Sequence, residues 1–309
     1  MLSNKEQACF SSCSIPAIVV LYEPTKENIL NLKQYANNLD CLLILDNSSS
    51  TNITLIKEVL PSVTNINQNT TEPIRKTKYH YLFFGKNLGL CKALNIGVNI
   101  LKSKYEWILF MDDDSTFATN IVGCYQNFIK NHDTKDIAIL APVHLFDRSK
   151  DKISSGIEDI SWAMTSGCLY NVKLFSKLGG FDEQLFLDCL DLDFGYKAKR
   201  SGFRVIKCKD AGVNHNPAQT NIFNLLGISI KYGVASPERY KLQCQNLFYL
   251  VLKYNSLSIL KIFMWKWIKA IFFFDRKIEY LKNMSIGTLK GIQRFMRDKQ
   301  YVFYKGAEK

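Results

Sequence analysis

Residues 105–117 read YEWILFMDDDSTF, an apolar run that passes straight into three consecutive aspartates. A run without polar alternation marks a strand buried on both faces. The same grammar repeats upstream. IPAIVVLY (15–22), CLLILDNSS (41–49) and HYLFFGKN (80–87) are apolar and β-rich, each closed by polar residues. Between them, TKENILNLKQYANNL (25–39), NITLIKEVL (52–60) and LGLCKALNIGVNILKS (88–103) read as helices. The order β-α-β-α-β-α-β predicts a Rossmann-like α/β domain whose mostly parallel sheet is covered by helices on both faces. Ligands of such sheets bind at the carboxyl ends of the strands. Glu23, Asp46, the Gly85–Gly89 loop and Asp112–Asp114 all fall there.

The chain has 309 residues, 47% hydrophobic and 22% charged, which excludes a disordered protein and allows one large domain with an appendage or two modest ones. Its net charge of +12 is unevenly spread. From Ser236 to Lys309 there are 15 Lys/Arg against 5 Asp/Glu, which leaves 25 against 23 in residues 1–235. The basic C-terminal segment suits an anionic partner. No nucleic-acid-binding motif is present. Nine scattered cysteines without a CxxC pair, Cys9 and Cys13 among them, predict free thiols in a reducing compartment. The N-terminus lacks the basic start and long apolar core of a signal peptide. A cytoplasmic chain is expected.

Along a strand, side chains i and i+2 point the same way, so Asp112 and Asp114 converge. Two unpaired carboxylates at close range repel, and a divalent cation removes that cost; oxygen donors completed by phosphate describe a Mg²⁺ or Mn²⁺ site. The alternatives are a solvated acidic turn capping the next helix, and the Asp-x-Asp-x-Thr pattern of haloacid-dehalogenase-like phosphatases with Asp112 as nucleophile. A second acidic stretch, GGFDEQLFLDCLDLDFGYKAKRSGFRVI (179–206), places Asp188 and Asp191 on one face of a helix or of the turn entering it. A carboxylate there can serve as general base; the alternative is a solvated helix N-terminus favoured by the helix dipole. His215, in GVNHNPA after the predicted strand FRVIKC (203–208), can supply a nitrogen ligand to the metal.

Together IVVLYEP, LLILDNSS, GKNLGLCKALNIGV, WILFMDDDS, TSGCLY, GGFDEQLFLDCLDLDFGYKAKRSGFRV, VNHNPA and SPERYKLQCQN resemble, in order, the inverting family 2 glycosyltransferases of GT-A fold. Within that family the chain is most similar to bacterial rhamnosyltransferases that build O-antigen and other surface polysaccharides. The resemblance implies a GT-A catalytic domain over residues 1–235, with a nucleotide-sugar half over about 15–116 and an acceptor half over about 117–235. It implies that Tyr22, Glu23 and Asp46 line the base and ribose pocket, and that Lys86, Asn87, Leu88 and Gly89 lie near ribose or phosphates. Asp112 and Asp114 would be the metal-binding pair, with Asp112 also at the donor nucleotide and His215 as a further contact. Ser166, Gly167 and Asp188 would lie beside the sugar and acceptor, and Asp191 would be the base. The implied donor is dTDP-rhamnose, with UDP-hexose or UDP-galactofuranose as alternatives. The implied acceptor is a lipid-diphosphate-linked saccharide. A non-catalytic, membrane-bound sugar-binding protein is the third reading.

The segment 236–309 is expected to be helical, basic and membrane-associating. LSILKIFMWKWIKAIFFFDRKIEYLK (257–282) has no uncharged run long enough to span a bilayer. On one continuous helix Lys261, Lys266, Lys269, Arg276 and Lys277 fall within an arc of about 160°. Such a helix lies in an anionic membrane interface, with its lysines toward the headgroups, on the inner face of a bacterial cytoplasmic membrane. A helix packed on the catalytic domain is the alternative.

Overall fold

The computed structural model describes residues 14–67, 77–215, 218–225 and 228–307. The expectations for the N-terminus, Cys9 and Cys13 lie outside the described residues. The chain divides into two compact units, Met1–Asn216 and Pro217–Lys309.

The first unit is built on a ten-stranded sheet. Strands β1 (Pro16–Leu21), β2 (Cys41–Asp46), β3 (Thr64–Asn65), β4 (Tyr79–Phe83) and β5 (Trp107–Asp112) alternate with helices α1 (Lys26–Ala36), α2 (Ile53–Val59) and α3 (Leu90–Leu101). They pair in parallel in the order β3-β4-β2-β1-β5. β1 and β2 are almost wholly buried, as their unbroken apolar sequences require. Helix α1 starts at a capping box between Thr25 and Asn28 and buries Ile29, Leu32, Tyr35 and Ala36.

Beyond β5 come β6 (Thr116–Phe117), α4 (Ile121–Asn131), β7 (Ile137–Leu145), β8 (Ile157–Ile160), β9 (Cys168–Asn171), α5 (Val172–Lys177), α6 (Leu190–Arg200) and β10 (Arg204–Asn214). Here the largely parallel sheet takes in an antiparallel strand. β9 runs antiparallel between β5 and β7. The reason is local: the chain enters β9 at the carboxyl end of β5, where the Gly167 amide donates to the Phe110 carbonyl over 2.7 Å, so it can only run back. β7 is thereby parallel to β5, and β10 to β7, which brings the end of β10 to the same rim of the sheet. β10 is also longer than the predicted FRVIKC and runs on to Asn214.

The second unit comprises an antiparallel pair, β11 (Gln219–Leu225) and β12 (Ile228–Val234), and helices α7 (Pro237–Tyr254), α8 (Leu257–Phe272) and α9 (Lys277–Ala307). The pair belongs to the same compact unit as the helices. Aromatic contacts account for this: Phe223 stacks on Phe273 and the Tyr232 hydroxyl donates to the Phe273 carbonyl over 2.9 Å. A Cβ at Gly287 would lie 2.1 Å from the Lys241 carbonyl oxygen, so α9 crosses α7 where only glycine fits.

The predicted continuous basic helix is corrected on two counts. The chain breaks between Phe272 and Lys277. And Lys269 is buried: its ammonium donates to the Gly233 carbonyl over 3.2 Å and lies 5.8 Å from the Tyr240 ring centre. Lys266 sits 5.0 Å from that ring centre and donates to Gln243. Their aliphatic stems lie along the interior and the ammonium groups find a carbonyl, an amide oxygen and an aromatic face there. What α8 exposes is instead a stripe of Leu257, Met264, Trp265, Ile268, Ile271 and Phe272, with Lys261 among them. Among the described residues no helix is long and apolar enough to cross a membrane.

The seven described cysteines are all free; Cys41, Cys91, Cys168, Cys208 and Cys244 are buried.

Candidate active site

Asp112 is the last residue of β5, and its amide donates to the Ser166 hydroxyl over 3.1 Å. The next helix, α4, is capped by Asn120, so the aspartates are not spent on capping. His215 follows β10 directly, and its amide donates to the Leu145 carbonyl at the end of β7. The sheet thus carries three sequence-distant segments to one point. His215 Nδ1 lies 3.4 Å from Asp114 Oδ1 and 3.9 Å from Asp112 Oδ2. One donor atom from each of the three falls within 4.8 Å of the others. The carboxylates are partly exposed and the imidazole is buried. Two hard oxygens and one imidazole nitrogen fit a divalent cation such as Mg²⁺ or Mn²⁺. Burial alone would depress His215, but Asp114 and Asp112 outweigh it and raise its pKa. Asp113 is pushed up to about 7 by burial and by its two neighbours.

Two residues that sequence reasoning passed over hold this centre. Ser115 is fully buried, 2.8 Å from His215 Nδ1 and donating to Asp114 Oδ1 over 3.3 Å. His144 lies near the end of β7; its Nε2 is 2.7 Å from the Ser166 carbonyl oxygen and its ring meets the His215 ring edge-on. Burial holds His144 down near a pKa of about 4, so it is a neutral donor to that carbonyl. A histidine close to the end of an apolar strand was the available signal in APVHL.

Asp191 lies in the first turn of α6, half-buried, with its Oδ1 accepting the Leu192 amide over 2.8 Å. Burial pushes its pKa up to about 6, helped by the charges of Asp188 and Asp112. That places a carboxylate ready to accept a proton within electrostatic reach of the Asp112 centre. The other acidic residues of this stretch divide: Asp182 caps the short turn Glu183–Leu185, Glu183 accepts from Asn95, and Asp193 is buried.

On the β1 and β2 rim the predicted residues separate by role. Tyr22 and Glu23 are exposed. Glu23 takes a left-handed backbone (φ 46°) and accepts from the Ser49 amide and hydroxyl, which lowers its pKa. Asp46 is fully buried; its carboxylate accepts from the Ser48 and Asn52 amides and the Tyr81 hydroxyl, so it shapes the 46–52 loop from within. Its neighbour Asn47, not singled out from sequence, accepts from the Leu88 amide and donates to the Gly89 carbonyl. It thereby joins this loop to Lys86 and Asn87, which are exposed.

Residues 23–157 match the family model for glycosyl transferase family 2, and the chain is a glycosyltransferase of GT-A fold. It is similar to the dTDP-rhamnosyl transferase RfbF of Shigella flexneri, 26% identical over 91% of this chain and 96% of that protein. It is also similar to the low-salt glycan biosynthesis hexosyltransferase Agl10 of Haloferax volcanii, 19% identical over 90% of this chain and 91% of that one. Among solved structures, S. aureus TarS residues 1–349 shares the fold, with a TM-score of 0.52 at 14% identity, covering 95% of this chain and 92% of that one. The phosphatase and non-catalytic readings are thereby set aside.

Proposed function

We propose that the protein transfers a hexosyl residue, L-rhamnose from dTDP-L-rhamnose in the first instance, to a lipid-diphosphate-linked saccharide during assembly of a bacterial surface polysaccharide. The observation that carries this reading is the convergence of Asp112, Asp114 and His215 beside the half-buried Asp191. The rhamnosyl choice is supported by the similarity to RfbF along nearly the whole chain.

Asp112, Asp114 and His215 would hold a divalent cation, which when bound supplies charge neutralisation for the diphosphate. The loop Lys86–Gly89 lies against the Asn47 loop and is assigned to the nucleotide diphosphate; Tyr22 and Glu23 are assigned to the base. Ser166, Gly167 and Asp188 are assigned to the sugar and acceptor. Asp191 takes the proton of the acceptor hydroxyl as that oxygen forms its bond to the anomeric carbon and the bond to the diphosphate oxygen breaks. Attack from the face opposite the leaving group inverts the anomeric centre. The exposed apolar stripe of α8, in a segment of net positive charge, supports a peripheral place on an anionic membrane surface, where a lipid-linked acceptor resides.

The test is thermal stability with Mn²⁺ or Mg²⁺ against dTDP, UDP and GDP, for wild type and Asp114→Ala. A metal-dependent rise with one nucleotide, absent in the variant, is expected. No rise with any nucleotide overturns the donor-site assignment, and a rise with UDP alone moves the donor to a UDP-hexose or UDP-galactofuranose.

A further inference from the structure

Phe186 is one of the few residues other than glycine with a positive φ among the described residues. Its φ of 63° and ψ of −63° make it the centre of a three-residue γ-turn, closed by the Leu187 amide donating to the Leu185 carbonyl over 2.7 Å. A bulky L-residue keeps such a conformation only where its surroundings over-determine it. Two features of the neighbouring loop do so. The Phe186 carbonyl accepts the Cys91 amide over 3.2 Å. Cys91 is in the first turn of α3, whose N-cap is Gly89 and has no side chain to offer, so Phe186 caps that helix from across the fold. The Phe186 ring lies over Gly89: a Cβ there would be 2.5 Å from Phe186 Cδ2 and 2.9 Å from the Phe186 carbonyl oxygen. Gly89 itself is left-handed, at φ 82°.

The turn is held from its other side as well. The Asn95 side chain, one turn further along α3, donates to the Phe181 carbonyl and accepts the Phe181 amide. Downstream, Cys189 is also left-handed (φ 73°) and starts α6, which carries Asp191. Two left-handed residues therefore bracket Asp188, and the first of them is fixed to the start of α3.

We infer that Phe186 is a positioning residue that ties the loop bearing Asp188 and Asp191 to the Lys86–Gly89 loop, so that the base and the diphosphate side of the donor site keep one register. The inference rests on the roles proposed above for those two loops. Its physical core, that the loops are mechanically joined through Phe186, does not.

Two variants test it. Phe186→Gly keeps the carbonyl but removes the ring and the need for constraint; Gly89→Ala keeps Phe186 but wedges the loops apart. Hydrogen exchange is followed in peptides covering 86–92 and 186–192, alongside transfer kinetics and nucleoside diphosphate affinity with Mn²⁺. Each variant is expected to speed exchange in both segments together, by about tenfold or more. For Phe186→Gly, kcat per folded molecule, with the folded fraction measured by circular dichroism, should fall by about tenfold or more while nucleotide affinity changes less than about threefold, as loss of positioning rather than of donor binding requires. Phe186→Leu, which retains apolar bulk, should recover part of the rate. Faster exchange confined to the mutated segment, or a rate loss that follows the folded fraction, overturns the inference. If the wild-type protein transfers no sugar, the functional reading fails, and the exchange result still decides whether Phe186 joins the loops.

Discussion

Asp191 concentrates the chemistry in one titration. Its pKa of about 6 lies above the ordinary 3.8 because burial, and then Asp188 and Asp112, disfavour its charge. A base must be deprotonated, so kcat/KM should rise with pH through about 6 and level off above it, as a pH–rate profile would register. Asp191→Asn should lower kcat by about 10²–10⁴-fold. The same shift sets a stability cost of the opposite sense. Between the unfolded and folded pKa values the native state holds a proton that the unfolded chain has lost, so stability falls as pH rises through that window and the deficit persists above it. Asp191→Asn should therefore melt higher than wild type at pH 8, by about 1–2 kcal/mol once partial exposure is discounted, and equally near pH 4. His144 gives a second residue-scale test. His144→Leu leaves the buried Ser166 carbonyl without its donor and should cost about 1–3 kcal/mol in a denaturant melt. The convergence of Asp112, Asp114 and His215 was legible because strand-end chemistry survives in a linear reading. Ser115 and His144 were not, since their role exists only once β7 and β10 lie side by side.

Helix α8 shows what a helical wheel leaves open. Its apolar and basic residues were countable in the sequence, but which of them faces inward depends on what waits there. The Tyr240 ring and the Gly233 carbonyl take up Lys269, and six apolar side chains turn out instead. In vesicle co-sedimentation with anionic lipid, Trp265→Ser with Phe272→Ser should weaken binding several-fold, by loss of interfacial aromatic area. Lys269→Gln should instead lower the melting temperature and leave binding nearly unchanged. Strands β1, β2, β4 and β5 and the helices between them could be read from apolar runs because a parallel sheet buries them on both faces, whereas the two polar residues of β3 carry no such run. β9 could not, because four residues carry too little pattern and their direction is set by the rim they start from.

The whole molecule separates charge from chemistry. The proposed catalytic residues all lie before Asn216, whereas most of the net charge lies after Ala235. Added salt screens exposed charge, so vesicle binding should fall steeply between about 50 and 200 mM salt while the nucleotide-dependent thermal rise changes little. The thiols are divided in the same way. Cys244 is the one cysteine after residue 216, and it is buried on α7, while Cys41, Cys91, Cys168 and Cys208 are buried in the sheet unit. A buried thiol, its pKa raised by its surroundings, reacts with an alkylating reagent only when the structure around it opens. The chain therefore carries a separate built-in clock for each unit, and the order in which these sulfurs alkylate records which unit opens first.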